Sequence, residues 1–232
     1  MQEIGFDVIG DLNLEPNDSF NWENKQTSLY CILTGNISHN LRTVTQTLIH
    51  LSKIYHGVFY VPGMLEYETG DSIPERLAEL LVITEGIPNI CMLHQHVAVI
   101  DGVAIAGING WSNAGNNHTH ENIMETVARS EDMFYLRTAI GKLQRHLDIK
   151  KIVLVTNAVP KSDLYFKENP GYIEDQTPLC DVLDADTENK VSHWVFGTYD
   201  KQVDTYFDSI NYINNPRSAS PPYWPKRLTI SV

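Results

Sequence analysis

The stretch Phe59-Tyr60-Val61-Pro62-Gly63-Met64-Leu65-Glu66-Tyr67 decides how this sequence folds. Its apolar start is typical of a buried strand, and the Pro-Gly pair predicts a sharp turn directly after that strand. In open α/β sheets, ligands and catalytic groups lie just beyond the carboxyl ends of the strands. Met64 and Leu65 occupy that position here. The segment therefore has the form of a catalytic strand tip but lacks the side chains that catalysis requires.

Four other apolar runs have the same form, with a short polar or glycine-containing segment at the end. Their continuous apolar character predicts strands that are buried on both faces. The five predicted strands cover residues 4–9, 29–33, 58–61, 152–155 and 193–196. Because all five deliver a polar tip, we expect the tips to share one functional edge.

The rest of the pattern predicts helices and hairpins around these strands. Residues 121–147 are expected to be helical, and Asp101-Gly102 predicts a tight hairpin between strands at 97–100 and 103–106. The sequence contains no internal repeat and no low-complexity linker. We therefore expect a single domain over residues 1–232.

Composition restricts the kind of partner. Seventeen Lys and Arg against 29 Asp and Glu give a formal charge of −12, which disfavours binding to nucleic acid or to an anionic membrane surface. No window approaches the roughly 18 apolar residues of a membrane span, and the first ten residues do not resemble a signal peptide. We expect a cytoplasmic, acidic protein. Its three cysteines, Cys31, Cys91 and Cys180, suggest neither a disulfide framework nor a thiolate metal site.

The order of the tips resembles the motif order of the calcineurin-like metallophosphoesterase superfamily. That family carries Asp-x-His, Gly-Asp, Gly-Asn-His-Glu/Asp, a His after a strand, and Gly-His-x-His, in this order. The corresponding stretches here are Asp11-Leu12-Asn13, Gly35-Asn36, Gly63-Met64-Leu65-Glu66, Thr156-Asn157-Ala158 and Gly197-Thr198-Tyr199-Asp200. The resemblance covers nearly the whole chain. It implies an α/β fold, a four-layer α/β/β/α sandwich of two mixed sheets.

The resemblance also implies where two metal ions would lie, and most of those ligands are missing. The first metal would meet Asp11, with Asn13, Asn36 and Asp200 in place of the family's His, Asp and His. The second would meet Asn36, Met64, Asn157 and Thr198. Neutral amides are weak ligands, and a thioether does not bind hard cations. We therefore expect no cofactor, or at most one weakly held ion such as Ca²⁺, Mg²⁺ or Mn²⁺ on Asp11, Asn13, Asn36 and Asp200.

The residue that would assist the leaving group is also missing. The family's motif His corresponds to Leu65, which neither donates a proton nor stabilises charge. Without a metal, the carboxylates of Asp11 and Asp200 would repel each other unless Asn13, Asn36 and Asn157 donate hydrogen bonds or one Asp is protonated. These losses together predict a pseudoenzyme.

Two histidine pairs offer other positions for a metal. His118 and His120 lie in an Asn-rich loop, and this position differs from that of the family's last motif. His94 and His96 would share one face if a strand ran through both of them. Solvated histidines are the expectation for both pairs, because neither has further ligands in view.

Three functions remain open from the sequence. We expect a catalytically inactive metallophosphoesterase-like protein that acts as a protein-interaction or structural module, through a protein partner or self-association. The aromatic tail 221–225 would then add apolar contact area, unless it packs against its own domain. The alternatives are a divergent single-metal phosphoesterase using Asp11, Asn36 and Asp200, and a protein that binds a nucleotide or phosphorylated ligand without cleaving it.

Overall fold

The computed structural model describes residues 2–16, 18, 20–69, 72–111, 120–164, 178–217 and 222–232; in the helix that begins at residue 120, side chains are described from residue 123 onward. The strands in these residues are β1 (Glu3–Ile9), β2 (Tyr30–Leu33), β3 (Gly57–Tyr60), β4 (Ile90–Met92), β5 (His96–Ile100), β6 (Val103–Ile108), β7 (Lys151–Thr156), β8 (Val191–Val195), β9 (Val203–Phe207), β10 (Ile210–Asn214) and β11 (Lys226–Ser231). The α-helices are α1 (Leu41–Ser52), α2 (Met64–Tyr67), α3 (Ile73–Glu85) and α4 (His120–Leu143). Two 3₁₀ helices, Ser162–Leu164 and Leu179–Ala185, follow β7.

The strands form two mixed sheets. The first has the order β11-β1-β2-β3-β4, in which β1 to β4 are parallel and β11 is antiparallel to β1. The second has the order β5-β6-β7-β8-β10-β9, in which the four central strands are parallel and the two outer strands are antiparallel. All five strands that the sequence predicts are present, within two residues of the expected ends.

Three apolar cores fix the layer order. One lies between the sheets and includes Phe6, Ile32, Val153 and Val195. The other two lie on the outer faces, beneath α1 and α3 on one side and beneath α4 and the second 3₁₀ helix on the other. Alternation along β2 illustrates this arrangement, because Ile32 faces the opposite sheet while its neighbours face the helices. The predicted four-layer α/β/β/α sandwich of two mixed sheets is confirmed.

Two local predictions have different outcomes. The Asp101-Gly102 hairpin is confirmed: both residues have positive φ, 45° and 86°, as a two-residue turn between antiparallel strands requires. The helix predicted over 121–147 is too long, because α4 ends at Leu143. Leu147 lies beyond it and is 85% exposed. Within the described residues, no helix has the length and apolar composition that spanning a bilayer requires.

Candidate functional site

The tips of four strands meet at one edge and are joined by hydrogen bonds between their side chains. Asp11 and Asn36 follow β1 and β2 of the first sheet, and Asn157 and Thr198 follow β7 and β8 of the second. Asp11 Oδ1 accepts hydrogen bonds from Asn36 Nδ2 at 2.7 Å and from the Thr198 backbone N–H at 3.0 Å. The Thr198 hydroxyl donates to Asn157 Oδ1 at 2.7 Å. We call these four residues the tip network; it connects the two sheets.

Three of the four tip-network residues, and Asn13 beside them, have left-handed backbone conformations. Asp11, Asn13, Asn36 and Thr198 have φ values of 46°, 46°, 52° and 57°. Asp and Asn adopt this region more readily than most residues, whereas for a β-branched threonine it is unusual. Such a conformation costs about 1–3 kcal/mol, so the surrounding contacts must hold Thr198 in place.

The orientation of both amides in the tip network is fixed by backbone groups. Asn36 Oδ1 accepts from the Leu65 N–H at 3.1 Å, so its Nδ2 faces Asp11. Asn157 Oδ1 accepts from the Met64 N–H at 3.3 Å, and its Nδ2 donates to the Thr34 carbonyl at 2.7 Å. Met64 and Leu65 thus take part through their N–H groups, not their side chains. Both amide oxygens face donors: Asn157 Oδ1 accepts two hydrogen bonds, from Met64 and Thr198, and Asn36 Oδ1 accepts one, from Leu65.

Glu66 holds the turn that the opening stretch predicts. Its fully buried carboxylate accepts the backbone N–H groups of Gly63 at 2.8 Å, Asn36 at 3.0 Å and Ile37 at 2.6 Å. Burial raises the pKa of Glu66 to about 7, although the three N–H donors favour the charged form. Sequence reasoning gave Glu66 no role. The signal was its place three residues after Gly63, at the start of a helix, where a glutamate closes a capping box.

Gly63 is required by close packing at this point. A Cβ on Gly63 would lie 2.3 Å from both the backbone N and Oδ1 of Asn36, and 2.8 Å from Asn157 Nδ2. These distances are far shorter than any van der Waals contact. The glycine therefore allows the β3 tip to pack directly against the amides of the other tips.

Asp11 is the tip-network residue with a carboxylate oxygen that accepts no hydrogen bond from the described residues. It is buried, and its Oδ2 has no hydrogen-bond partner among the described residues. Burial raises the pKa of Asp11 to about 6, against the opposing effect of its hydrogen bonds from Asn36 and from the backbone of Thr198 and Tyr199. The site therefore offers one free carboxylate oxygen, whereas Ca²⁺ takes six to eight oxygen ligands.

Two of the four predicted ligands of the first metal, Asn13 and Asp200, lie outside the tip network. Asn13 is exposed, and its Nδ2 donates to the backbone carbonyl of Asp11 at 3.1 Å. Asp200 is exposed as well. Among the residues that the structure describes, no three His, Cys, Asp or Glu side chains are grouped as a metal site would require. Three amides were candidates to donate to the Asp11 carboxylate. Asn36 does so, whereas Asn13 donates to the backbone carbonyl of Asp11 and Asn157 donates to the Thr34 carbonyl.

The histidine pairs are placed as follows. His118 lies outside the described residues, and His120 begins α4, where its side chain is not described. His94 and His96 do not share a strand, because β5 begins at His96 and Gln95 breaks the extended chain with a φ of 47°. The condition for their pointing the same way is not met. His94 is partly buried, which lowers its pKa, while the nearby Asp132 acts in the opposite direction.

Tyr223 of the aromatic tail binds the backbone next to two strand ends, at Gly10 after β1 and at Asn215 after β10. The Tyr223 hydroxyl donates to the Asn215 carbonyl at 2.6 Å and accepts from the Gly10 N–H at 3.1 Å. Its ring packs against Trp22, with 5.5 Å between ring centroids. Trp224 is 53% exposed. Part of the tail thus packs against its own domain. Local sequence patterns do not predict such contacts, because Gly10 and Tyr223 are 213 residues apart in the chain.

Comparison with known sequences gives a match over part of the chain. No known family matches the sequence. An uncharacterised protein of Acanthamoeba polyphaga mimivirus is 26% identical over 123 residues, 50% of this chain and 41% of the viral protein. The chain thus spans less than half the length of that relative.

Two solved structures resemble the whole chain. A phosphopantetheinyl hydrolase from Mycobacterium tuberculosis has a TM-score of 0.63 at 13% identity, with 97% of this chain and 96% of that chain covered. GAP50, described as the anchor in the inner membrane complex of Plasmodium, has a TM-score of 0.59 at 12% identity, with 94% and 72% covered. The chain therefore has a phosphohydrolase-like fold, and identities this low do not define an activity.

Proposed function

We propose that this chain is a metallophosphoesterase-like domain that no longer hydrolyses phosphoesters and acts as an interaction or structural module, through a protein partner or self-association. The tip network is the observation that carries this proposal. At the edge where the fold places its reactive groups, two amides, one hydroxyl and one carboxylate bind one another. A two-metal displacement needs a bridging carboxylate and several further charged or imidazole ligands.

The chemistry of each group supports the same conclusion. Asn36 directs an N–H donor, not an oxygen, at Asp11. A second buried carboxylate, that of Glu66, accepts hydrogen bonds from three backbone N–H groups and stabilises the turn. Leu65 supplies an N–H and an apolar side chain where an acid would be needed. Each such loss alone costs orders of magnitude in rate.

Non-enzymatic use of this fold is compatible with its neighbours. The Plasmodium protein is described as an anchor, whereas the Mycobacterium tuberculosis protein is described as a hydrolase. Proteins of this fold thus carry different descriptions, so the function of this chain has to be inferred from its site. The net charge of −12 favours a protein partner over nucleic acid.

The test is hydrolysis of a generic phosphodiester and a phosphomonoester by the purified chain with Mn²⁺. We expect the wild type and Asp11→Ala to give the same rate, equal to the rate without protein, because nothing in the tip network activates water. Hydrolysis by the wild type that Asp11→Ala abolishes would refute the proposal. A trace contaminating enzyme is recognised because its activity would be the same in both preparations.

One observation favours the second candidate, a single-metal phosphoesterase based on Asp11, Asn36 and Asp200. Asp11 Oδ2 is buried without a hydrogen-bond partner in the described part of the chain, which is how a carboxylate prepared for a ligand would look. Against it, Asp200 is exposed and Asn36 Oδ1 is bonded to the Leu65 N–H. The hydrolysis assay separates the two candidates directly.

A further inference from the structure

The end of the second sheet opposite the tip network carries a basic groove. Its volume is about 810 Å³, and it is lined by Arg145, Lys150 and Lys190, with one acid, Glu188. Lys150 directly precedes β7 and Lys190 directly precedes β8, and the far ends of these two strands carry tips of the network. A strand of six residues such as β7 spans about 20 Å. The basic groove is therefore separate from the candidate site.

The charge around the basic groove is opposite to that of the whole chain. Residues 142–151 contain four Lys or Arg against one acid, Asp148, whereas the whole chain has 17 against 29. Charges within about 8 Å of one another act together at physiological salt, whereas more distant exposed charges are screened. The cations thus create a local positive potential on a protein of net charge −12, and this potential attracts anionic groups.

The acids of the chain do not neutralise the cations of the basic groove. Within the described residues, no ion pair joins Arg145, Lys150 or Lys190 to a carboxylate, whereas other cations such as Arg217 and Lys226 have acidic partners. In a chain with an excess of acids, such pairs would be easy to form. The positive charge of the groove is therefore left for a ligand.

Each of these cations also has hydrogen-bond donors to spare. Lys190 Nζ donates to two backbone carbonyls, at 2.9 Å and 2.7 Å, and Lys150 Nζ donates to one, that of Leu147, at 2.7 Å. An ammonium has three donors, so Lys190 keeps one and Lys150 keeps two. The Arg145 guanidinium has five N–H donors and makes no hydrogen bond to the described residues. Several donors can therefore converge on an anion.

Hydrogen bonds join the two walls of the basic groove. Gln144, directly after α4, donates through Nε2 to the Ala185 carbonyl at 2.5 Å and accepts the Glu188 N–H at 3.0 Å. The carboxylate of Asp186 accepts two backbone N–H groups of the same wall, at 3.0 Å and 2.8 Å, and so stabilises the loop. A groove held in this way is formed before a ligand arrives, which reduces the ordering cost of binding.

We propose that the basic groove binds an acidic segment of a partner protein. The inference rests on the proposed interaction role and gives the chemistry of the partner. Carboxylates of the segment accept hydrogen bonds from Arg145, Lys150 and Lys190, and such charge-assisted bonds are stronger than neutral ones. Leu147 also lines the groove and is 85% exposed, so it contacts an apolar side chain of the same segment. A short peptide fits better than nucleic acid, whose further charges would be repelled by the acidic chain.

Fluorescence anisotropy of a labelled peptide of about eight glutamates tests this proposal on the full chain. We expect saturable binding with a Kd below about 1 mM, and we expect Arg145→Glu and Lys150→Glu each to weaken it about threefold or more. Arg42→Glu is the matched control, because it makes the same change in net charge at an exposed arginine in the first turn of α1, on the other outer face. It should leave binding unchanged. Circular dichroism confirms that each variant is folded.

A second peptide tests the apolar contact. Replacing a central glutamate by leucine should tighten binding relative to a peptide with alanine at that position, and Leu147→Ser should remove the difference. In backbone NMR spectra, either peptide should shift the amide signals of residues 144–150 and 185–190 and leave those of α1 unchanged.

Three results overturn the proposal: no saturable binding, binding that both groove variants retain, and tighter binding of a single-stranded oligonucleotide of equal charge. None of them changes the outcome of the hydrolysis assay, which concerns the opposite end of the sheet. Hydrolysis by the wild type would likewise refute the loss of activity without affecting peptide binding, so the two proposals fail separately.

Discussion

At the scale of single residues, the site depends on which atom each side chain presents. Asn36 and Asn157 stand where charged ligands would be expected, and both turn an N–H toward an oxygen: Asn36 toward Asp11, Asn157 toward the Thr34 carbonyl. A buried carboxylate is costly unless hydrogen bonds compensate it, and Asp11 Oδ2 has no hydrogen-bond partner among the described residues. Burial raises the pKa of Asp11, although hydrogen bonds from Asn36, Thr198 and Tyr199 oppose the shift.

This pKa predicts a specific pH dependence of stability. The folded-state pKa of Asp11, about 6, is above its ordinary value of 3.8, so the folded protein binds the proton more tightly than the unfolded chain. The stabilisation is complete below the ordinary value and is lost as pH rises through the folded value. We expect Asp11 to reduce the free energy of unfolding by about 3 kcal/mol across this window.

Asp11→Asn isolates this effect. Urea unfolding at a series of pH values should show a flatter dependence for Asp11→Asn than for the wild type between about pH 4 and pH 6. Asp200→Asn is the control, since that carboxylate is exposed, and its profile should follow the wild type. Identical profiles for Asp11→Asn and the wild type would show that Asp11 is not the buried group described above.

The sequence predicts which residues lie at the strand tips, but it does not predict the hydrogen bonds between them. Asp11, Asn36, Asn157 and Thr198 were identified because each follows an apolar run. Whether an amide offers its oxygen or its N–H depends on neighbouring backbone groups, here those of Leu65 and Thr34, which lie far away in the chain. Glu66 was missed for the same reason, since two of its three donors belong to the β2 tip.

At the scale of elements, the β3 tip and α2 form the central piece of the site. The turn after β3 places the N–H groups of Gly63, Met64 and Leu65 against Glu66, Asn157 and Asn36, respectively. The sequence predicted the strand and the turn but not α2, a four-residue helix that leaves no periodicity to detect. For β5, the sequence predicted the hairpin with β6 correctly. It did not predict that β5 is the outer strand of the second sheet, because that depends on the order of all six strands.

Close packing of this element predicts opposite effects of one substitution at two glycines. Gly63→Ala should destabilise the fold by several kcal/mol, because its Cβ would overlap backbone and side-chain atoms of Asn36 at 2.3 Å. Gly141→Ala should stabilise it by about 0.5–1 kcal/mol, because Gly141 lies in α4 with nothing within 4 Å of the added Cβ. Thermal unfolding measures both. Equal effects at the two sites would contradict the packing described at the tips.

At the scale of the whole molecule, the tip network joins the ends of two sheets that share an apolar core. Asp11 and Asn36 follow strands of the first sheet and Asn157 and Thr198 follow strands of the second, and Thr198 makes hydrogen bonds that cross between them, to Asp11 and from Asn36. Amide, hydroxyl and carboxylate groups thus make the polar connection that shared metal ions would make in a two-metal enzyme. The layer order was predictable from apolar runs and the order of the tips. The long-range contacts of Tyr223 and Asn215 with Gly10 were not.

A crystal structure of the protein grown with Mn²⁺, recorded at a wavelength that gives an anomalous signal, tests the central claim most directly. We predict no anomalous peak at the tips, with Asn36 Nδ2 still donating to Asp11 Oδ1 and Thr198 still donating to Asn157. An ion within about 2.2 Å of Asp11 Oδ2, with the Asn36 amide reversed so that its oxygen faces the metal, would contradict the account.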